Sequence, residues 1–255
     1  DHRDLHSFPT RRSSDLDQVR MEWRAEFHAL PEVLQPEVER LWREKEKQGH
    51  FNGHMARLDG YEMQNSCLCL RLSTGDYRTL MYSNAFTEQL LRDWSAQALS
   101  CALGISALVR SRDGRVALIR RSDTVGEYPG HLDVFGGHID ETLRGNEHAA
   151  FLAMRQELEE EAALKSEEYD LQCFGLIEAL DHRKPELLFL ADCRLTADEI
   201  AARVREAVDR HELQQLLFFP DQGKALERVL AVERMISPSA VGCVEEYIKA
   251  ERGQR

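Results

Sequence analysis

The strongest constraint on this chain is an acidic strip on one helix. It is Gln156-Glu157-Leu158-Glu159-Glu160-Glu161-Ala162-Ala163-Leu164, within a helical pattern that starts near Glu147. At about 100° per residue, Glu157, Glu160 and Glu161 share one face while Glu159 points away. Like charges at these spacings each cost an isolated helix roughly 0.2–0.5 kcal/mol. The plainer reading is a solvated helix face. Against it stand the other positions, which are apolar: Ala149, Ala150, Phe151, Leu152, Ala153, Met154, Leu158, Ala162 and Leu164. A helix apolar on several sides is clamped within the fold, so its acidic strip lines something. Just upstream, Asp133-Val134-Phe135-Gly136-Gly137-His138 reads as a strand with a glycine turn, and glycine admits positive φ and close backbone approach. Carboxylates stacked beside such a turn point to a hard divalent cation; Mg²⁺ usually takes one or two carboxylates plus substrate phosphates. The chemistry that follows is metal-assisted attack on a phosphate ester or anhydride.

The rest of the chain narrows the class. No apolar run in the 255 residues approaches the ~20 needed to span a bilayer, so no membrane segment is expected. No secretory leader is visible, and none of the six cysteines makes a CxxC. Reduced thiols and a cytoplasmic location are therefore the expectation. The net charge of −12 argues against a nucleic-acid surface. It also opposes an anionic ligand, which a metal and local arginines would have to offset. The spacing assigns no oligomeric state.

Residues 1–16 are polar, lack periodicity and do not begin with Met. They resemble translated adapter sequence, and the expectation is a non-native, disordered segment. Residues 17–100 read as a small α+β extension packed on the remainder. Within it, helical patterning over 22–47 is split by Pro31 and Pro36, and short strands are expected at Met55–Leu58, Cys67–Leu72 and Tyr77–Tyr82. Turns fall at Gly60 and Thr74-Gly75-Asp76, and a helix covers 88–100. Residues 101–255 form the main domain. It opens with strands Ile105–Arg110 and Val116–Arg121, and after the acidic helix come strands at Leu171–Glu178 and Leu187–Leu195. Thr196-Ala197-Asp198-Glu199 has the form of a capping box, opening a helix to about Arg210. A strand at Leu216–Phe219 and two helices follow, Pro238 starting the last.

Gly136-Gly137 followed by Gln156-Glu157-Leu158-x-Glu160-Glu161-x-Ala163-Leu164 resembles the Nudix box. Gln156 stands where the box has Arg, Ala163 where it has Gly, and His148 where it has its first Glu; ten residues rather than five separate Gly137 from His148. These departures match a sub-branch, the Nudix hydrolases that cleave UDP-glucose and UDP-galactose. The likeness runs from about Phe51 to Ala250 through Tyr77-Arg78, Asn84, Arg120-Arg121-Ser122, Leu132-Asp133-Val134, Gly136-Gly137-His138, His148-x-x-Phe151, Phe218-Phe219 and Pro238-Ser239-Ala240. The resemblance implies an α/β fold, the Nudix α/β/α sandwich with a mixed sheet. It also implies Mg²⁺-dependent hydrolysis of a small-molecule UDP-sugar to UMP and sugar 1-phosphate, with Mn²⁺ as a substitute ion. A Nudix hydrolase of another nucleotide diphosphate-X, such as ADP-ribose or NADH, is the second reading. A nucleotide-sugar binding protein without turnover is the third.

On that footing Glu157, Glu160 and Glu161 are the candidate metal ligands, with the Gly136 carbonyl added by the family pattern. The base that activates water is one of the helix glutamates, Glu157 or Glu161, or else Glu186, which Pro185 holds at the start of a strand. Arg120 and Arg121 end a strand and cannot both face inwards; one clamps a phosphate. Tyr77, Arg78 and Asn84 are candidates for uridine or sugar recognition. His148, heading the acidic helix, is placed to meet phosphate.

Overall fold

The computed structural model describes residues 5–13, 19–64, 67–179 and 182–252. The first hundred residues supply β1 (Leu5–Ser13), β2 (Val19–Phe27), α1 (Gln35–Lys47), β3 (His54–Gln64), β4 (Cys67–Asp76), α2 (Tyr77–Ala85) and α3 (Thr87–Asp93). Then come β5 (Gly104–Arg110), β6 (Arg115–Arg121), β7 (Leu132–Asp133), β8 (Phe135–His138) and α4 (Ala149–Ala162). The chain continues through β9 (Tyr169–Ala179), β10 (Lys184–Cys193), α5 (Ala197–Val204), β11 (Leu213–Pro220), α6 (Gly223–Val232) and α7 (Pro238–Arg252).

Eight strands form one mixed sheet in the order β1-β9-β10-β5-β6-β11, with β7 on β6 and β8 on β5. Only β10 and β5 run parallel within it. Strand residues alternate between the two faces, as the pleat requires. Ile105, Ala107, Val109, Ala117 and Ile119 pack with α4 on one side, while Leu108, Val116 and Leu118 pack with α6 and α7 on the other. The result is a mixed α/β sandwich, helices covering both faces.

One irregularity positions the site. β5 and β6 pair only at Val109–Ala117 and Arg110–Val116, then part. Chain 132–138 fills the gap, Leu132-Asp133 pairing with β6 and Phe135–His138 with β5. Its glycines are there because the approach is close. A Cβ on Gly136 would lie 2.2 Å from the Ile105 carbonyl oxygen, a backbone atom that cannot swing aside.

The helices of the extension bury a cluster of their own around Leu30, Val38, Tyr82 and Leu90, while its small sheet joins the main core. β2, β4 and β3 make a three-stranded sheet whose Val19, Ala56, Leu68, Leu70 and Leu72 join the α4-side cluster. Backbone bonds stitch the junction: Ala56 N–H to the Ile139 carbonyl (2.8 Å), Leu103 N–H to Ala56 (2.9 Å) and Leu58 N–H to Cys101 (3.0 Å). Among the described residues no helix is long and apolar enough to cross a membrane.

Several expectations are corrected. Within the segment expected to be disordered, Leu5–Ser13 is a strand, antiparallel to β9 from Leu5–Ala179 to Pro9–Gly175; residues 1–4 and 14–16 lie outside the described residues. Ladder bonds use backbone groups alone, so the open edge of β9 can pair a segment without side-chain periodicity. Residues 19–27, expected to be partly helical, form β2, because Val19, Met21 and Trp23 alternate towards the core alongside β4. The expected strand at 77–82 is helix α2: Asp76 caps it, its carboxylate accepting the Thr79 N–H at 2.8 Å. The expected turn at 74–76 is the end of β4, and Gly60 lies inside β3 at a register shift. The expected helix over 88–100 is Thr87–Asp93 followed by one 3₁₀ turn. At Thr196 both halves of the capping box form, but α5 ends at Val204 rather than near Arg210.

Candidate active site

A cavity of about 640 Å³ opens where the small sheet, the β7–β8 segment and α4 meet. One wall is acidic. α4 runs over the glycine segment, so that a Cβ on Gly137 would lie 2.1 Å from Glu157 Oε1. Gly136 N–H donates to Glu161 Oε2 at 2.9 Å. In an antiparallel strand a residue's N–H and C=O point to the same side, so the Gly136 carbonyl also faces this wall.

Glu161 is buried, and burial pushes its carboxyl well above the usual range; the neighbouring Glu157 adds to this, and Gly136 N–H and Arg121 offset only part. Glu157 is pushed up to about 7 by burial and by the charges of Glu160, Glu212 and Asp209. The protein therefore packs two acids together with only a partial counter-charge, from Arg121. Glu186, buried on β10, accepts a hydrogen bond of 2.5 Å from Ser106 Oγ and is pushed up by burial. Gly104 makes room for it, since a Cβ there would lie 2.4 Å from Glu186 Oε2.

The opposite wall carries compensated charge. Glu127, on the loop between β6 and β7, takes both its oxygens to Lys184 Nζ at 3.2 and 3.0 Å. Burial alone would raise its carboxyl, yet Lys184, His138 and Arg121 bring it down to about 2. Tyr77 lines this side, its hydroxyl lying against Gly126, and burial together with Glu127 pushes it up to about 12.

Of the residues chosen from sequence, Tyr77, Arg121, Gly136, Glu157, Glu161 and Glu186 line the cavity. Arg121 is turned in by Asp133 (3.2 Å), which Ser237 Oγ holds from the start of α7 at 2.5 Å. The others are placed elsewhere. Glu160 shares the helix face but accepts from Gln156 Nε2 at 2.9 Å. Arg120 points to the other side of β6, bonding Glu233 at 2.6 Å and the Gly130 and Met235 carbonyls. Arg78 pairs with Glu39 and Asp76. Asn84 reaches the site only through Glu127, to which its Nδ2 donates at 3.0 Å. His148 is the residue preceding α4, its Nε2 3.6 Å from Glu147, and it does not line the cavity. Among the described residues no three His, Cys, Asp or Glu side chains are grouped to hold a metal ion. Of the three expected ligands, Glu157 and Glu161 line the cavity and Glu160 does not.

Sequence reasoning missed Glu127, Lys184, His138, His50, Asp209 and Glu212, all lining residues. One signal was present: Gly126-Glu127-Tyr128-Pro129-Gly130 is a glycine- and proline-punctuated loop carrying a single acid between two core strands.

Comparison with known proteins comes down to one segment. Nudix hydrolase 9 of Arabidopsis thaliana is 32% identical over 130 residues, covering 44% of this chain and 42% of that protein. The chain therefore spans less than half the length of the curated relative it matches, and that match supports a place in the Nudix hydrolase superfamily. No family model matches. Among solved structures, a protein of Deinococcus radiodurans aligns with a TM-score of 0.43 at 16% identity, over 57% of this chain and 83% of that one. The Nudix domain of Shewanella oneidensis NrtR, crystallised with ADP ribose, aligns with a TM-score of 0.38 at 16% identity, over 65% and 97%.

Proposed function

We propose that this protein is a Mg²⁺-dependent Nudix hydrolase that cleaves the pyrophosphate of UDP-sugars, UDP-glucose and UDP-galactose, to UMP and sugar 1-phosphate. The observation that carries the reaction class is the Glu157–Glu161 pair beside Gly136 and Gly137, whose mutual repulsion Arg121 offsets only in part. The choice of UDP-sugar rests on the branch resemblance over residues 51–250.

The donor set fits the ion. Two carboxylates and a facing carbonyl are the hard oxygen ligands that Mg²⁺ takes, with substrate phosphates completing its shell. Glu157, Glu161 and the Gly136 carbonyl would hold it; Glu160, one position out, adds charge without contact. Bound there, the ion supplies Lewis-acid polarisation of a phosphoryl oxygen and charge neutralisation. Arg121, fixed by Asp133, binds a second phosphate oxygen. Glu186, which lines the cavity, takes the proton of the attacking water: burial raises its basicity, and Ser106 Oγ holds one of its oxygens in place. Tyr77 and His50, against Gly126 of the β6–β7 loop, serve uridine or sugar recognition.

The test is incubation with UDP-glucose, UDP-galactose, ADP-ribose and NADH, with Mg²⁺, with Mn²⁺ and with chelator, followed by nucleotide chromatography. Metal-dependent UMP, formed fastest from the UDP-sugars, is the expected result. AMP from ADP-ribose or NADH would keep the mechanism and overturn the substrate. Binding of UDP-glucose without product under any metal would make the protein a binder rather than an enzyme.

A further inference from the structure

The hydrolysis above leaves one group of cavity side chains unused. Glu127 stands at its centre, held by Lys184 from the start of β10 and by Asn84 from α2. His138, the last residue of β8, brings its Nε2 to 3.8 Å from Glu127 Oε2. That nitrogen is buried without a hydrogen-bond partner, and so is Asn84 Oδ1.

The charges in this group sum to nothing. Glu127 is ionised and Lys184 is protonated, and the two lie 3.0 Å apart as a matched pair. A phosphate gains little here, since the ammonium is already matched and the carboxylate repels it. Hydrogen-bonding capacity, by contrast, is left over. A carboxylate has about four acceptor positions and an ammonium three protons. Three bonds reach Glu127, two of them from Lys184, so each side chain keeps one more to give. An adjacent acceptor and donor, rigid and net neutral, match two neighbouring hydroxyls, one donating and one accepting.

We propose that Glu127, Lys184 and His138 form the glycosyl subsite of this cavity, Glu127 and Lys184 reading adjacent hydroxyls of the hexose. The assignment rests on the nucleotide-sugar reading above. It gives the cavity a division of labour: the diphosphate lies on the acidic α4 wall, and the sugar lies on the loop and β10 wall. Specificity for the sugar is then set by residues 57 positions apart that meet only in the fold.

The test is calorimetric binding of UDP-glucose and of UMP to the full chain and to Glu127→Gln, with Ca²⁺ replacing Mg²⁺ to prevent turnover. Glu127→Gln should weaken UDP-glucose by about tenfold or more and UMP by less than about twofold, the loss of one charge-assisted bond. Equal weakening of both ligands, or of neither, overturns the proposal. Wild-type protein that binds UMP but gains nothing from the glucose overturns the nucleotide-sugar reading itself, an outcome distinct from a wild-type gain that Glu127→Gln retains. Should Glu127→Gln not fold, wild-type protein is titrated with UDP-glucose analogues in which each hydroxyl in turn is replaced by fluorine. At least one replacement should weaken binding about tenfold; uniform changes below about twofold would show that no hydroxyl is read.

Discussion

Glu127 and Glu157 are half-buried carboxylates facing one cavity, yet the fold moves them in opposite directions. Burial pushes both up. Glu157 stays up, near 7, because its neighbours Glu160, Glu212 and Asp209 are acids. Glu127 ends near 2 because Lys184, His138 and Arg121 outweigh the same burial. A buried acid is tolerable when its counter-charge is built in, and costly when it is not. The loop wall has its cation within the chain. The α4 wall has only Arg121, already engaged by Asp133, and this asymmetry separates a cluster suited to neutral hydroxyls from a pair suited to a divalent ion.

The largest expected effect is on the α4 wall. Glu161→Gln removes a buried acid and one of the proposed metal ligands together. Turnover should fall by roughly 10²–10³-fold, the scale for removing one group that stabilises developing charge. The thermal midpoint of the metal-free protein should hold or rise. Retained turnover in this variant would break the comparison at its acidic end. On the loop wall the signs reverse. Lys184→Met leaves Glu127 buried and unpaired, and both side chains of that pair are only 13% exposed. Denaturant unfolding should show a loss of about 3–5 kcal/mol, the range for stripping one partner from a buried pair. Loss below 1 kcal/mol would mean that water reaches Glu127 freely.

Gly136→Ala should follow. Its Cβ would press on the Ile105 carbonyl, so strand β8 must shift, at about 1–3 kcal/mol of stability by equilibrium unfolding. A smaller effect tracks pH. Glu157 titrates at about 7 in the folded chain against an ordinary 4.5. Between those values the native state keeps a proton that the unfolded state releases, so stability without metal falls as pH rises through that window. Mg²⁺ should reverse this, raising the thermal midpoint more at about pH 8 than at about pH 5. An equal rise at both would detach the ion from Glu157.

How much of this could be read from sequence follows from how local each cause is. Helix α4 was legible because its period and its apolar flanks lie within one run, and the Thr196 cap because all four of its residues are consecutive. β2 was misread because Val19, Met21 and Trp23 alternate over too few residues to outweigh the helix-like run after them. At 77–82, aromatic and β-branched residues suggested a strand, while the deciding contact was one cap from Asp76. Glu160 has the right helical phase, and only the Gln156 bond shows that its carboxylate is engaged elsewhere. Glu127 showed in the sequence only as an acid within a glycine- and proline-punctuated loop. Its chemistry comes from Lys184, and no periodicity links residues 57 apart.

The smallest effect concerns the end of the acid helix. Ala163 terminates α4 with φ of +51°, in the left-handed region, where its N–H still bonds the Glu159 carbonyl at 2.9 Å. This is the position at which the Nudix pattern has glycine, and the conformation supplies the reason: a left-handed helix cap is easy for glycine and strained for a residue with a Cβ. Two residues earlier stands Glu161, so relief of that strain acts on the frame of the metal pair without touching its charges. Ala163→Gly should raise stability by up to about 1 kcal/mol, less than the full left-handed penalty because glycine also loses more chain entropy on folding. Turnover should stay within about twofold of wild type. A rise in stability accompanied by a fall in turnover would mean that the strained cap holds Glu161 in place, and the acidic wall would then depend on backbone strain as well as on charge.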